Sequence, residues 1–196
     1  QTFGRYISDA IVDEILEKPE GLQLAGHLRH VPLMMSDIRS FTTLVEHLPP
    51  EQVVALLNRY LGKMTDIILH YGGTIDEFLG DAVLAAFGAP TQSEHHATQA
   101  VTCAIEMQAA MVEVNAENKA EGLPEVQMAI ALNTGEVVAG NIGSERRSKY
   151  GFGGHQVNVT SRIEDDARPN EILISEQTLL AIDNSQFIVG DSRTVH

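Results

Sequence analysis

"TIDEFLGDAVLAAF", residues 74–87, decides the fold class. Two short apolar runs, "TIDEF" and "AVLAAF", flank Leu-Gly-Asp. Glycine enters the left-handed conformations of tight turns at little cost, so the pattern predicts a hairpin with its turn at Leu79-Gly80. A hairpin makes its two strands antiparallel. The same stretch carries three carboxylates, Asp76, Glu77 and Asp81, in otherwise apolar surroundings, and Asp81 opens the second strand.

Outward from this hairpin, helices and strands alternate without repeats or linkers. "HVPLMMSD" (30–37) reads as a buried strand with Pro32 near its start. Residues 51–71 carry Val53, Val54, Leu57, Leu61, Met64 and Ile68 at helical spacing, and Gly72-Gly73 ends the run. A second long helix is expected from about Ser93, its candidate cap, to Asn118. "VQMAIALNTGEVVAGNIG" reads as two strands about Asn133-Thr134-Gly135, and "RRSKYGFGG" as a loop or weak strand pair. "HQVNVTSRIEDDA" returns to helical spacing. "EILIS" is a strand, "SEQTLLAI" a short helix and "QFIVG" a last strand. The mixture is α+β, built on a mostly antiparallel sheet with flanking helices. We read residues 1–196 as a single domain. Residues 1–25 form a helical lead-in, with a short helix over Ile7–Leu16 begun near Ser8 or Asp9.

Composition narrows the function. At 196 residues and 43% hydrophobic, the chain has material for one full core. A net charge of −14 argues against general nucleic-acid binding and against contact with an anionic membrane surface, since both need a basic face. It leaves room for a small anionic substrate where local cations or metals offset the field. Cys103 is the only cysteine, so no internal disulfide forms and a reducing, cytoplasmic setting is expected. No run is long and apolar enough to span a membrane, and the start lacks the pattern of a signal peptide. Lacking an initiator Met, the chain reads as a domain of a longer protein.

Three groups of residues can carry chemistry. Asp37 and Asp81 each stand at a strand end, where side chains reach a cleft. Two such carboxylates suit a Mg²⁺ ion completed by phosphates and water, although turn aspartates are common. In "DIRSFTT" (37–43), Ser40, Phe41 and Thr42 can turn backbone N–H groups toward phosphate oxygens, or simply cap a helix. In "VNVTSR" (157–162), Asn158 and Arg162 are four apart and share a helix face. A neutral donor beside a fixed cation suits an anionic transition state, but the pair is equally a capping Asn and a solvated Arg. No histidine pair has zinc-ligand spacing, and Cys103 and the methionines sit in core patterns.

Together these segments resemble the catalytic domain of class III nucleotidyl cyclases. "RYISDAIVDEIL" is similar to the lead-in of that family, and "SDIRSFTTLVEHLPPEQVVALLNRYLGKM" to its first metal segment and long helix. "GGTIDEFLGDAVLAAFGAP" resembles the second metal segment, "NTGEVVAGNIGSERRSKYGFGG" the hairpin, and "QVNVTSRIE" the Asn-x-x-x-Arg helix. The likeness spans nearly the whole chain, with five motifs in order. It implies a ferredoxin-like cyclase fold and a reaction in which a nucleoside triphosphate closes on itself: the 3′-hydroxyl attacks the α-phosphorus and pyrophosphate leaves. By position, Asp37, Asp81 and the Ile38 carbonyl match the ligands of two divalent ions, Mg²⁺ or Mn²⁺. One ion would activate the 3′-hydroxyl and the other would hold the β- and γ-phosphates. Asn158 matches the ribose-orienting residue. Arg162 matches the residue that stabilises charge on the α-phosphate. The family pattern is a head-to-tail dimer, here a homodimer, with metal and Asn/Arg groups of each site on different chains.

The resemblance also places Glu77, four residues before Asp81, at the purine edge. Cyclases that use ATP usually carry Lys there. An ionised Glu only accepts hydrogen bonds, which fits guanine N1–H and its 2-amino group. The matching second position is Gly151. It carries neither the Asp or Thr usual for adenine nor the Cys or Ser usual for guanine, and it is expected to leave room near guanine O6. The expectation is therefore a guanylate cyclase making cyclic GMP from GTP. An adenylate cyclase, or a non-catalytic nucleotide-binding or dimerisation module, is the alternative. The family's C-terminal triphosphate Lys is not found by "SRTVH", which leaves Lys149, Arg146 and Arg147 as candidate substitutes.

Overall fold

The computed structural model describes residues 26–144 and 147–195. The expected lead-in over 1–25, and Arg146, lie outside the described residues. The elements run β1 (Gly26–Ile38), α1 (Phe41–Val45), α2 (Pro50–His70), β2 (Gly73–Leu79), β3 (Ala82–Phe87), α3 (His96–Ala120), β4 (Met128–Ser144), β5 (Arg147–Gly153), α4 (His155–Asp166), β6 (Ile172–Ile174) and α5 (Glu176–Ala181). The sheet has six strands in the order β2-β3-β1-β4-β5, with β6 added beside β4. Every pairing is antiparallel except β4 with β6. The α+β reading and the antiparallel sheet hold.

The β2–β3 hairpin forms, with its turn one residue later than expected. Leu79 pairs with Ala82, so Gly80 and Asp81 make the two-residue loop, and Gly80 takes φ 67°. A bulge interrupts the ladder between Ile75 and Glu77, leaving Asp76 as the extra residue. The single largest departure is β4. Instead of two strands it is one of 17 residues, paired with β1 from Met128↔Ile38 to Gly140↔Gly26. Asn133 and Thr134 are polar enough to read as a turn, yet both are buried. Their side chains are satisfied within the fold, Asn133 by Gln156 at 2.9 Å and Thr134 by Thr178 at 2.9 Å. β1 is likewise longer than expected at its start. Pro32 sits one residue before pairing with β3 begins at Leu33↔Ala86, where a missing N–H costs least.

Two apolar layers enclose the sheet. On one face Met34, Ile38, Met128, Ile130 and Leu132 pack against α2 and α3. The buried stripe of α2 is Leu56, Tyr60, Met64, Ile67 and Ile68, a different phase from the expected one, and Val54 is exposed. Pro50 and Glu51 start this helix favourably. α3 starts at His96: the Ser93 hydroxyl accepts from the His95 N–H without capping the helix. Cys103 and all six methionines are buried, each worth roughly 1.5–3 kcal/mol for a Met-sized side chain. On the other face Val31, Leu33, Ala86, Val137, Ala139 and Phe152 form a smaller cluster against Tyr150 and Val157. The expected last strand over 186–190 does not form: Gln186 ends a short 3-10 turn, and Ile188 is fully exposed. None of the described helices is long and apolar enough to cross a membrane.

Candidate active site

Asp37 and Asp81 are brought together by the β1–β3 pairing. Asp37 is the penultimate residue of β1, and Asp81 lies in the turn that leads into β3. The Asp81 carboxylate accepts a hydrogen bond from the Ile38 backbone N–H at 2.9 Å. Burial raises the Asp81 pKa, the Ile38 N–H opposes this, and the nearby Asp37 charge adds to the rise. Asp37 Oδ1 is buried and makes no hydrogen bond of its own. Two converging carboxylates, one with a buried oxygen that makes only a 3.4 Å ion pair with Arg39, are a donor set for a hard cation. Among the described residues no cluster of three or more His, Cys, Asp or Glu occurs.

Behind this pair lies a group the sequence reading left unassigned. Arg39 donates to the Glu164 backbone carbonyl at 2.5 Å and to the Glu164 carboxyl, and its Nε lies 3.4 Å from Asp37 Oδ1. Glu164 is on α4 and only 4% exposed. Burial, together with its hydrogen bond to Asp37, pushes its pKa up to about 8. It therefore holds its proton more tightly than an exposed carboxyl does. The signal was present: Glu164 falls on the buried stripe of α4, with Thr160 and Ile163. An acid on such a stripe requires a partner.

Ser40, Phe41 and Thr42 follow directly. Ser40 takes the left-handed φ of 58° and begins α1 without a side-chain cap, so the first-turn N–H groups of this short helix have no side-chain acceptor. Asn158 and Arg162 both lie exposed on one face of α4, as their spacing requires. Arg162 lines a cavity of about 700 Å³ with His30, Asn133, Glu136 and Gln156, to which neither Asp37 nor Asp81 contributes. Arg162 and the aspartate pair thus face different spaces of one chain.

The strands that carry Glu77 and Gly151 meet although they lie at opposite ends of the sheet order: Asp76 approaches Gly151, and Glu77 approaches Lys149. The coiled sheet lets β2 and β5 touch. The contact is made by two residues without an assigned place in that pair. Lys149 Nζ lies 2.8 Å from Asp76 Oδ1 and 3.3 Å from Glu77 Oε2. Asp76 is nearly enclosed, and it also accepts from the Phe152 backbone N–H. Burial raises its pKa and Lys149 opposes the rise. The expectation of room beside Gly151 is corrected here. A Cβ at Gly151 would stand 2.9 Å from Asp76 Oδ1 and 3.3 Å from Lys149 Cε, so that space is already filled. Lys149, a candidate triphosphate cation by sequence, is engaged at this cluster instead.

A fold with two aspartates at adjacent strand ends and an Asn-x-x-x-Arg helix beside the sheet is that of a nucleotidyl cyclase catalytic domain. The chain belongs to the adenylate and guanylate cyclase catalytic domain family, whose profile matches residues 25–196. It is similar to the crystal structure of the guanylyl cyclase Cya2, with a TM-score of 0.80 and 51% identity over 82% of this chain and 81% of that one. The adenylyl cyclase CyaB from P. aeruginosa gives a TM-score of 0.79 and 36% identity, covering 85% of each chain. Adenylate cyclase 1 of Rhizobium meliloti (strain 1021) is 34% identical over 83% of this chain and 24% of its own length. The chain spans about a quarter to a third of the curated relatives it matches.

Proposed function

We propose that this domain is a guanylate cyclase, converting GTP to cyclic GMP and pyrophosphate at sites shared by two copies arranged head to tail. The observation that carries the choice of base is Glu77. It stands half-exposed on the strand leading to Asp81, and when ionised it offers acceptors only. Guanine presents N1–H and a 2-amino group as adjacent donors; adenine presents an unprotonated N1. The 51% identity to a structure described as a guanylyl cyclase supports the same reading.

In this reading Asp37, Asp81 and the Ile38 carbonyl hold two divalent ions, Mg²⁺ or Mn²⁺. When bound, those ions draw charge from the 3′-hydroxyl and from the triphosphate oxygens. The chain's own residues do the rest. Asn158 orients the ribose so that its 3′ oxygen lines up on the α-phosphorus. As the new P–O bond forms and the bond to the pyrophosphate bridge oxygen breaks, Arg162 neutralises charge growing on the α-phosphate. The N–H groups of Ser40, Phe41 and Thr42 face the terminal phosphates. The separation of Arg162 from the Asp37–Asp81 cleft supports trans assembly, one chain supplying the aspartates and its partner Asn158, Arg162 and Glu77.

The test is the ratio of cyclic GMP to cyclic AMP formed from equimolar GTP and ATP. Wild type is expected to make mainly cyclic GMP. Glu77→Lys is expected to weaken GTP use about tenfold to a hundredfold more than ATP use, one or two mismatched contacts at about 1–3 kcal/mol each. Mainly cyclic AMP from wild type, or an unchanged ratio in Glu77→Lys, would remove the base assignment. The adenylate cyclase reading has its own support: Asp76 brings a carboxylate to the space beside Gly151, and similar proteins described as adenylyl and adenylate cyclases are 36% and 34% identical. Asp37, Asp81, Asn158 and Arg162 are all present, which argues against a non-catalytic module.

A further inference from the structure

Glycine at position 151 is not required by its backbone, which stays out of the left-handed region. Its value is spatial. The missing Cβ admits the Asp76 carboxylate, whose Oδ1 would stand 2.9 Å from it, and the Lys149 stem at 3.3 Å. Asp76 and Glu77 are consecutive on β2, and consecutive strand residues ordinarily point to opposite faces. The bulge at Asp76 cancels that alternation. Both carboxylates then reach one ammonium, at 2.8 and 3.3 Å. The two acids differ in exposure. The Asp76 side chain is 3% exposed, whereas Glu77 and Lys149 are 44% and 47% exposed. Asp76 is thus an anchor within the fold, and Glu77 and Lys149 are the groups that meet an incoming molecule. Burial works against the Lys149 charge, but Asp76 and Glu77 together raise its pKa above the ordinary value, so it stays protonated. An ammonium has three N–H donors, and two acids use two of them.

The exposed result is a donor beside an acceptor in fixed order. Guanine carries the complement: O6 accepts, and the neighbouring N1–H and 2-amino group donate. Adenine carries the reverse, a 6-amino donor beside the N1 acceptor, and meets a mismatch at both points. We propose that Lys149, anchored by Asp76 in the space that Gly151 leaves open, is a second specificity-determining residue, donating to guanine O6 while Glu77 accepts from N1–H and the 2-amino group. This rests on the reading that Glu77 faces the base. It assigns separate tasks to the two exposed residues, and it makes the glycine part of the specificity device.

The test uses the intact chain with GTP, ATP and 6-thioguanosine triphosphate, which keeps N1–H and the 2-amino group but replaces O6 with a poor acceptor. Wild type is expected to favour GTP over both. Lys149→Met keeps the apolar stem and removes the donor. It should lower kcat/KM for GTP about tenfold to a hundredfold, the cost of one buried contact. Use of the thio analogue should fall far less, so that the two guanine nucleotides become nearly equal. Gly151→Ala, which pushes a methyl against Asp76 and the Lys149 stem while leaving the ammonium in the chain, should move the same two ratios in the same direction. Wild type preferring ATP overturns this assignment together with the base assignment. Wild type preferring GTP, with both ratios unchanged within twofold in Lys149→Met, overturns the Lys149 role alone and leaves Glu77 as the reader.

Discussion

Replacing Arg39 with Met is the sharpest probe of how the catalytic edge is held. Arg39 ties three things together: the end of β1, the Asp37 carboxylate and helix α4 through Glu164. Its side chain is 18% exposed and that of Glu164 6%, so water replaces little of what is lost. Met keeps the stem's packing, which isolates the guanidinium. Two hydrogen bonds to Glu164 vanish. Charge-assisted bonds are worth about 1.5–3 kcal/mol each, giving an upper figure of about 3–6 kcal/mol. The loss is smaller in practice because Glu164 sheds its charge readily: burial and Asp37 already push its pKa to about 8. A neutral carboxyl left behind costs less than a carboxylate. We expect a net destabilisation of about 2–4 kcal/mol, or a Tm lower by roughly 4–15 °C for a chain of this size. The assay is urea unfolding at pH 7 in metal-free buffer, run on wild type, Arg39→Met, Glu164→Gln and the double variant. Glu164→Gln keeps the acceptor for Arg39 and should cost less than the arginine change. The double variant should cost less than the sum of the singles, because each removes part of the same contact. A loss under about 0.5 kcal/mol for Arg39→Met, or strict additivity, would show that α4 is not held through this pair.

Asp81→Ala should abolish cyclisation and also lower stability by about 1–2 kcal/mol, since the Ile38 N–H loses its acceptor. Asp81→Asn, which keeps an acceptor oxygen, should restore most of that in a thermal melt. If sites are shared between chains, mixing inactive Asp81→Ala with inactive Arg162→Ala restores one intact site per mixed dimer; proven mixed dimers without activity would place both groups in cis. Just beyond Glu164, at the C-terminal end of α4, Arg193 pairs with Glu171 at 2.6 Å and donates to the Asp166 carbonyl at 2.7 Å. The arginine holds the Glu171 pKa down to about 2, below its ordinary 4.5. A depressed acid contributes its stability above its unfolded pKa and loses it as pH falls through the folded one. Wild type should therefore be slightly more stable than Arg193→Met at neutral pH, the pair being open to solvent. The difference should vanish between pH 4.5 and 2, read by denaturant midpoints across that range. A constant difference down to pH 2 would refute the pairing.

What could be read locally was read well. The 74–87 stretch yields a hairpin because a glycine turn between two apolar runs is a short-range signal. α2 and α4 follow from spacing, and the placement of Asn158 and Arg162 on one face follows from helical geometry alone. β4 was divided in two because Asn133 and Thr134 look like turn residues until Gln156 and Thr178, far along the chain, supply their hydrogen bonds. The buried phase of α2 departs from the one its spacing predicts for a related reason. Two stripes of comparable hydrophobicity run along it, and only the sheet beneath selects Leu56, Tyr60 and Met64.

By itself, then, the sequence determined the α+β class, the antiparallel hairpin and the family, through residues whose spacing within a motif is their meaning. Tertiary structure alone decided which charges meet. Asp76 is 73 positions from Lys149, and Arg39 is 125 positions from Glu164. The first contact exists because a coiled sheet brings its two edge strands together around a residue with no side chain. The second exists because α4 crosses the end of β1. Charge pairing depends on distance through space, and no local pattern encodes that distance when the partners lie on different elements.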